Sequence, residues 1–250
     1  MAFDRLITVL EIVAAAGRPL APSEVQDATG LPRPTCYRLL RTLGDHRLLE
    51  FDGSKYRIGA RLVRIALFGQ TDDDARRAAA PMLKDAAIAF GEAVFLSRFR
   101  DERVEIIHVE TPDDPARSFV HPGLGARPLH ACSCSKAIAA FADPAFRKQV
   151  FAGPMRAYTE RTKQDPEALR AEFEAIRRTG FATCVEEVEL GVSSVAVPIR
   201  IGEIGAAFSI GATGPVRRFT PDRREEIGHE LIAMAGRTAA ALNLQAAISA

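Results

Sequence analysis

The sequence has 250 residues, of which 47% are hydrophobic and 26% charged, so it is long enough for one large or two ordinary domains and too apolar for global disorder. The net charge of +1 hides an asymmetry, because residues 33–64 contain eight basic side chains against three acidic ones, which indicates a local site for a polyanion. There is no apolar run of about eighteen residues and no secretory pattern. We therefore expect a cytoplasmic protein that does not contact a membrane, with its four cysteines reduced.

Three helical segments follow one another at the start of the chain. Apolar side chains recur at helical spacing over residues 3–16, which predicts an amphipathic helix. Ser23 is placed to cap a second helix, and Gln26 three residues later completes a capping box. Gly30 ends this helix, and a third one begins near residues 32–34, where proline is tolerated in a first turn.

The third helix has one apolar and one basic side. Its apolar stripe has the spacing i, i+3, i+4 and i+7 and consists of Cys36, Leu39, Leu40 and Leu43. The other side presents Arg33, Pro34, Tyr37, Arg38 and Arg41. A short helix, a tight glycine turn and a helix with a basic outer face are typical of a helix-turn-helix, whose second helix enters the major groove of DNA.

A hairpin follows, because residues 48–51 and 55–58 flank the turn pair Asp52-Gly53. A hairpin behind a recognition helix forms a wing, whose basic side chains can reach DNA phosphates. One basic helix alone is more often a solvated protein face. The ordered combination of signals nevertheless favours a winged helix-turn-helix that binds DNA through Arg33, Pro34, Thr35, Tyr37, Arg38, Arg41, Lys55 and Arg57.

The remainder of the chain mixes strands and helices. Residues 60–69 predict a helix leaving the wing, and Thr71 caps the next one, so the domain boundary falls near residues 70–74. Strand patterns cover residues 93–100, 103–110, 181–189, 194–201 and 204–211, and helices follow Ser133, Pro144, Pro166 and Pro221. This order predicts an α+β fold in which a central antiparallel sheet has flanking helices.

Four segments in succession resemble the IclR-type family of bacterial regulators, named for the isocitrate lyase regulator. Residues 30–43 are similar to the recognition helix of that family, and residues 56–59 to the end of its wing. Residues 127–137 are similar to its effector-site loop and helix, and residues 180–199 to its C-terminal signature. The resemblance therefore covers nearly the whole chain.

The resemblance implies three parts: a winged helix-turn-helix domain over residues 1–59, a linker helix over residues 60–74 and a GAF-like effector-binding domain over residues 75–250. It also implies assembly as a homodimer or as a dimer of dimers. The partners would be a double-stranded DNA operator and a small-molecule effector.

An effector site is implied in the C-terminal domain. The family's pocket positions, carried onto this sequence, are Arg117, Val120, Cys184, Ser194 and Ser209, and His130 lies in the matching loop. Ser133 and Cys134 begin a helix, so their backbone N–H groups would favour an anion. Arg117 would clamp a carboxylate, although a surface ion pair explains an arginine there equally well.

Three places depart from the family pattern. Pro34 stands where a small hydroxyl residue is more usual, which removes one possible DNA contact. Residues 132–135 stand where small residues and a glycine are usual, and Cys184 replaces an acid. Loss of that repulsive carboxylate suits an organic acid, and a bulkier or aromatic one better than a very small one.

We therefore expect a metabolite-responsive transcription regulator of a catabolic operon, with no enzymatic activity, cofactor or metal. His130, Cys132, Cys134 and Cys184 lack the usual Cys-x-x-Cys spacing of a zinc site. Two alternatives stay open. One is a ligand-sensing module that controls a protein partner, and the other is a thiol-dependent enzyme with Cys134 as its nucleophile.

Overall fold

The computed structural model describes residues 2–59, 61–62, 65, 71–114, 119–142, 144–200 and 205–248. It divides into two compact units, Met1–Gly69 and Gln70–Ala250. The linker helix predicted over residues 60–74 lies largely outside the described residues and stays a prediction. In the described part of the chain, no helix combines the length and the apolarity that a bilayer span requires.

The N-terminal unit is built on its third helix, whose apolar stripe is buried. Its elements are α1 (Ala2–Ala15), α2 (Pro22–Thr29), α3 (Arg33–Asp45), β1 (Leu49–Phe51) and β2 (Tyr56–Ile58). All four predicted stripe residues of α3 are buried, and they pack in one core with side chains from α1 and α2. The predicted helix-turn-helix with its wing is confirmed, and the basic side of α3 faces solvent.

The start of α2 differs from the prediction. The helix begins at Pro22, so Ser23 lies inside its first turn and is not the N-cap. Ala21 takes the N-cap position, and its backbone N–H donates to a carboxylate oxygen of Glu24 at 2.7 Å. The capping box predicted for Ser23 is therefore wrong, because a proline at the first helical position already suits the helix and moves its start upstream.

The wing depends on local turn chemistry. Asp52 Oδ1 accepts the backbone N–H groups of Ser54 at 2.9 Å and Lys55 at 2.8 Å, while Gly53 takes a φ of +102°. A side chain at Gly59 would place its Cβ 2.4 Å from the carbonyl oxygen of Arg47. The turn and this close approach together hold the hairpin behind α3.

The C-terminal unit begins with α4 (Asp72–Phe90), for which Thr71 is the N-cap, as predicted. The elements that follow are β3 (Ala93–Arg100), β4 (Arg103–Glu110), β5 (Gly125–Arg127), α5 (Ser133–Phe141), α6 (Pro144–Ala152), α7 (Pro166–Thr179), β6 (Ala182–Val185), β7 (Val192–Arg200), β8 (Ala206–Pro215) and α8 (Pro221–Ile248).

These strands form one antiparallel sheet in the order β5-β4-β3-β8-β7-β6. Helix α5 packs on β7 and β8, and α4 and α8 pack on each other and on the sheet. The predicted α+β fold with a central antiparallel sheet is confirmed. Because β3 and β8 are neighbours, segments more than a hundred residues apart meet in the middle of the sheet.

Strand β6 is shorter than the sequence pattern predicts. It ends at Val185, because Glu186 takes a left-handed φ of +58° and starts a turn. The Glu186 carboxylate accepts the N–H of Gly191 at 2.9 Å and closes this loop. The resulting segment, residues 186–191, is called the β6–β7 loop below.

Candidate DNA-recognition surface and sensor cavity

The outer side of α3 is a basic, exposed surface. Arg33, Pro34, Tyr37, Arg38 and Arg41 are exposed, and Thr35 is half-buried. The Arg33 guanidinium lies over the Tyr37 ring, 5.2 Å from its centre. An arginine stacked on an aromatic ring keeps its charge at the surface with less conformational freedom. These residues, with Lys55 and Arg57 of the wing, are called the recognition surface.

The two basic residues of the wing differ in their surroundings. Lys55 is exposed at the end of the turn. Arg57 faces Glu50 across the hairpin and forms an ion pair with it at 2.9 Å. To bind a DNA phosphate, as predicted, Arg57 would have to give up the Glu50 carboxylate.

The C-terminal unit contains a cavity of about 80 Å³. Its apolar wall consists of Phe95, Ile106, Val120, Pro122, Val188 and Val192. Its polar lining is contributed by His121, Arg127, Cys132, Cys184, Glu189, Ser194 and Thr213. This sensor cavity thus collects side chains from all six strands of the sheet, the N-terminus of α5, the segment before β5 and the β6–β7 loop.

Arg127 is a cation in the wall of the sensor cavity. Its Nη2 donates to the carbonyl oxygen of Pro122 at 2.6 Å and also to that of Gly123. Its Nε is buried and has no hydrogen-bond partner among the described residues. A guanidinium N–H without a hydrogen-bond partner at a cavity wall can bind an anionic ligand.

Three cysteine thiols lie at or just behind the cavity wall. Cys184 is buried, and this burial raises the pKa of its thiol to about 12, so the wall is uncharged at this point. Cys132 is the N-cap of α5 and lines the cavity, whereas Cys134 is fully buried behind it. The Cys132 and Cys134 sulfurs are 3.3 Å apart.

Buried hydroxyls connect the cavity wall to the sheet. Ser194 lines the cavity and its Oγ lies 2.7 Å from Oγ of Ser133. Ser209 forms a similar pair with Ser97, at 2.6 Å, deeper in the sheet. Each of these four hydroxyls is therefore satisfied by a hydroxyl of another element.

A buried ion-pair cluster lies behind the same helix. Lys136 of α5 is completely buried, and its Nζ donates to Glu172 at 2.7 Å and to Glu187 at 2.8 Å. Lys163 joins at the rim, 2.8 Å from Glu172. Burial opposes ionisation of Lys136, yet the two carboxylates hold its pKa above the usual value. Since Glu187 belongs to the β6–β7 loop, this cluster fixes α5 to the loop that covers the cavity.

The structure brings together only part of the predicted effector set. Val120, Cys184 and Ser194 line the cavity. Ser133, Cys134 and Ser209 are buried outside its lining, and the His130 ring lies 3.0 Å from the Arg156 carbonyl oxygen. Arg117 lies outside the described residues, so its assigned role stays a prediction.

The predicted effector set did not include Arg127, His121 or the Lys136 cluster. Arg127 lies at the start of the segment that resembles the effector loop, but no local pattern shows where its guanidinium points. The zinc hypothesis gains no support either, because the described residues contain no group of three metal-binding side chains in a suitable arrangement.

Together, these features define a winged-helix protein whose DNA-recognition unit is joined to an α+β unit with a ligand-sized cavity. The family model described as the IclR helix-turn-helix domain matches residues 2–53. The model described as "Bacterial transcriptional regulator IclR C-terminal" matches residues 71–240. The chain therefore belongs to the IclR family of bacterial transcriptional regulators, and it is a DNA-binding regulator.

Individual relatives agree with this assignment. The chain is 30% identical over 233 residues to the glycerol operon regulatory protein of Streptomyces coelicolor, covering 92% of this chain and 90% of the relative. An IclR-type transcriptional regulator from Silicibacter sp. TM1040 has a similar structure, with a TM-score of 0.66, 25% identity and coverage of 97% and 96%. An IclR homologue from Microbacterium hydrocarbonoxydans, complexed with 4-hydroxybenzoate, has a TM-score of 0.61, 24% identity and coverage of 98% and 100%.

Proposed function

We propose that this chain controls a catabolic operon in response to a small organic acid bound in the sensor cavity. The observation that carries the proposal is Nε of Arg127, a buried donor with no partner among the described residues, at a cavity that is otherwise largely apolar. Leaving such a donor unsatisfied costs about 1–3 kcal/mol, and a carboxylate would satisfy it.

The rest of the lining also suits an acid. Cys184 is an uncharged thiol where the family more often has a carboxylate, so it does not repel an anion. Glu189 is exposed, which places its charge at the solvent side of the lining. The cavity of about 80 Å³ has room for a small acid beside Arg127.

The relatives support the type of operon more strongly than the type of acid that is bound. One of them is named for the glycerol operon, which supports regulation of carbon catabolism. The neighbour bound to 4-hydroxybenzoate takes an aromatic acid, but its 24% identity supports the fold alone. Our choice of an acid therefore rests on Arg127 and its cavity, and aromatic acids belong in the first set of compounds to test.

The DNA-binding assembly is a homodimer or a dimer of dimers in this proposal. A two-fold assembly would present two recognition surfaces to half-sites about 34 Å apart. Phe3 and Ile7 lie one turn apart on α1 and are exposed, which supports an apolar contact between copies. Light scattering that showed a stable monomer with full operator affinity would contradict this assembly.

One experiment tests operator and effector together. Genomic fragments retained by the protein are sequenced and footprinted, and organic acids are then screened for a change in operator affinity. Arg127→Met should weaken binding of an active acid by about 1.5–3 kcal/mol in calorimetry, whereas Arg170→Met, at an exposed position of α7, should not. Arg127→Lys keeps the positive charge but lacks the planar guanidinium fork. Its affinity for the acid should lie between those of Arg127→Met and Arg170→Met. Unchanged affinity in Arg127→Met, or an active effector without an anionic group, would overturn the proposal.

A further inference from the structure

The thiol pair of Cys132 and Cys134 has no role in acid binding or DNA recognition as described above. The two sulfurs are 3.3 Å apart, and Cys132 is half-buried in the wall of the sensor cavity while Cys134 is fully enclosed behind it. Closure by roughly 1.2 Å would bring them to the bond length of a disulfide, about 2.05 Å. One sulfur is therefore open to a small molecule in the cavity, and its partner is already in contact with it.

The geometry points to a redox-active dithiol: we propose that a hydroperoxide entering the sensor cavity oxidises Cys132 and Cys134 to a disulfide. This site is additional to acid sensing, and it does not depend on which effector the protein binds. A hydroperoxide is small enough for the cavity, and it supplies the oxidising equivalents that the bond requires.

The surroundings of the pair assign a role to each sulfur. Burial opposes ionisation of Cys134, yet hydrogen bonds from Cys132 and Ser135, together with the positive charge of Arg127, hold its pKa below the usual value. The hydrogen bond to Cys134 and burial raise the pKa of Cys132 well above its usual value. Cys134 is thus the base of the pair, and Cys132 is the sulfur that meets the oxidant.

The reaction balances in two steps. The Cys134 thiolate takes the proton of Cys132 as the Cys132 sulfur attacks the peroxide, the O–O bond breaks and hydroxide leaves, so that Cys132 becomes a sulfenic acid. The Cys134 sulfur then attacks the Cys132 sulfur, the S–O bond breaks, the proton leaves with the oxygen as water, and the S–S bond forms. The two sulfurs lose two electrons in total, and the peroxide gains them.

Peptide mapping of the full-length reduced protein tests the proposal. Trypsin leaves Cys132 and Cys134 together in the peptide of residues 118–136, and Cys184 in the peptide of residues 179–200. After hydrogen peroxide and iodoacetamide, we expect the first peptide to lose the mass of two hydrogen atoms and to resist alkylation until dithiothreitol is added. Alkylation of both cysteines despite peroxide, a cross-link to Cys184, or only sulfinic and sulfonic products would overturn the proposal.

Three variants test the assigned roles. Cys36→Ala removes a thiol of the N-terminal unit, away from the cavity, and should leave oxidation of Cys132 and Cys134 at the wild-type rate. Cys134→Ser removes the base, so sulfenic acid at Cys132, trapped with dimedone, should form about tenfold more slowly. Val192→Phe narrows the cavity without touching the pair and should also slow oxidation. Wild-type oxidation rates in both Cys134→Ser and Val192→Phe would contradict the mechanism. If either variant fails to fold, the wild-type peptide map still tests whether the disulfide forms.

Discussion

In the N-terminal unit the basic side chains of α3 lie at the surface, whereas in the C-terminal unit Lys136 of α5 is fully enclosed between two carboxylates. Arg38 and Arg41 make no ion pair with any residue that the structure describes, and both remain available to a partner. The charge of Lys136 is already paired with two carboxylates inside the protein. The same type of charge is thus exposed in one unit, as the proposed recognition role requires, and paired inside the protein in the other, and burial is what separates the two cases.

The largest effect is expected where charge is buried. Lys136→Met leaves the carboxylates of Glu172 and Glu187 without their buried partner, and breaking such a pair costs about 3–5 kcal/mol. Urea denaturation followed by circular dichroism should show this loss in the free energy of unfolding. Lys163→Met is the matched control, because Lys163 contacts the same Glu172 from a position 43% exposed to solvent and should cost about 0–1 kcal/mol. Equal losses in the two variants would show that burial does not set the difference.

The next effect concerns the exposed arginines. Arg38→Ala and Arg41→Ala should each weaken binding to a specific operator by about 1–3 kcal/mol, the discrimination expected from one bidentate base contact. Their free energies of unfolding should change little, since both side chains are exposed. Fluorescence anisotropy with labelled operator measures the first quantity, and urea denaturation the second. If either variant kept its footprint and affinity, α3 would not be the recognition helix.

The pH dependence of stability follows from the buried cluster. Burial opposes ionisation of Glu172, but Lys136 and Lys163 hold its pKa below the usual 4.5, so its stabilisation is present above that value and is lost as the pH falls through the lowered pKa. For Lys136 the pKa is raised above the usual 10.5, so its stabilisation is present below that value and is lost as the pH rises through the raised pKa.

Glu172→Gln should therefore flatten the acid limb of the stability curve. The urea midpoint is measured from pH 7 down to about two units below the usual glutamate pKa. It should fall less steeply with decreasing pH in the variant than in the wild type. Glu167→Gln, an exposed glutamate on the same α7 helix, should leave the limb unchanged. An acid limb of equal slope in Glu172→Gln would assign acid instability to other carboxylates.

The two units also differ in how far the sequence predicts them. The recognition surface follows from local patterns, because the α3 stripe and the Asp52-Gly53 turn each lie within a few residues. Within the described part of the N-terminal unit, the difference from the predicted elements is the start of α2. The sensor cavity instead depends on contacts between distant segments, such as Lys136 with Glu187, 51 residues away. No periodicity encodes those contacts, so Arg127 and the buried cluster became visible only in three dimensions.

The smallest effect concerns Arg57, a predicted DNA-binding residue that already forms an ion pair within the wing. Arg57 contacts Glu50 across the wing with both side chains partly exposed, so the pair contributes about 0.2–1 kcal/mol to stability. Glu50→Gln frees Arg57 for a phosphate, and each added phosphate contact steepens the slope of log affinity against log salt by about 0.9. Operator affinity should therefore rise about two- to fivefold at low salt and converge with the wild type at high salt. Arg57→Ala in the Glu50→Gln background should abolish the added slope. An unchanged salt slope in Glu50→Gln would mean that Arg57 already exchanges Glu50 for a phosphate in the wild-type complex. The ion pair would then make Arg57 no less available to DNA than Arg38 and Arg41.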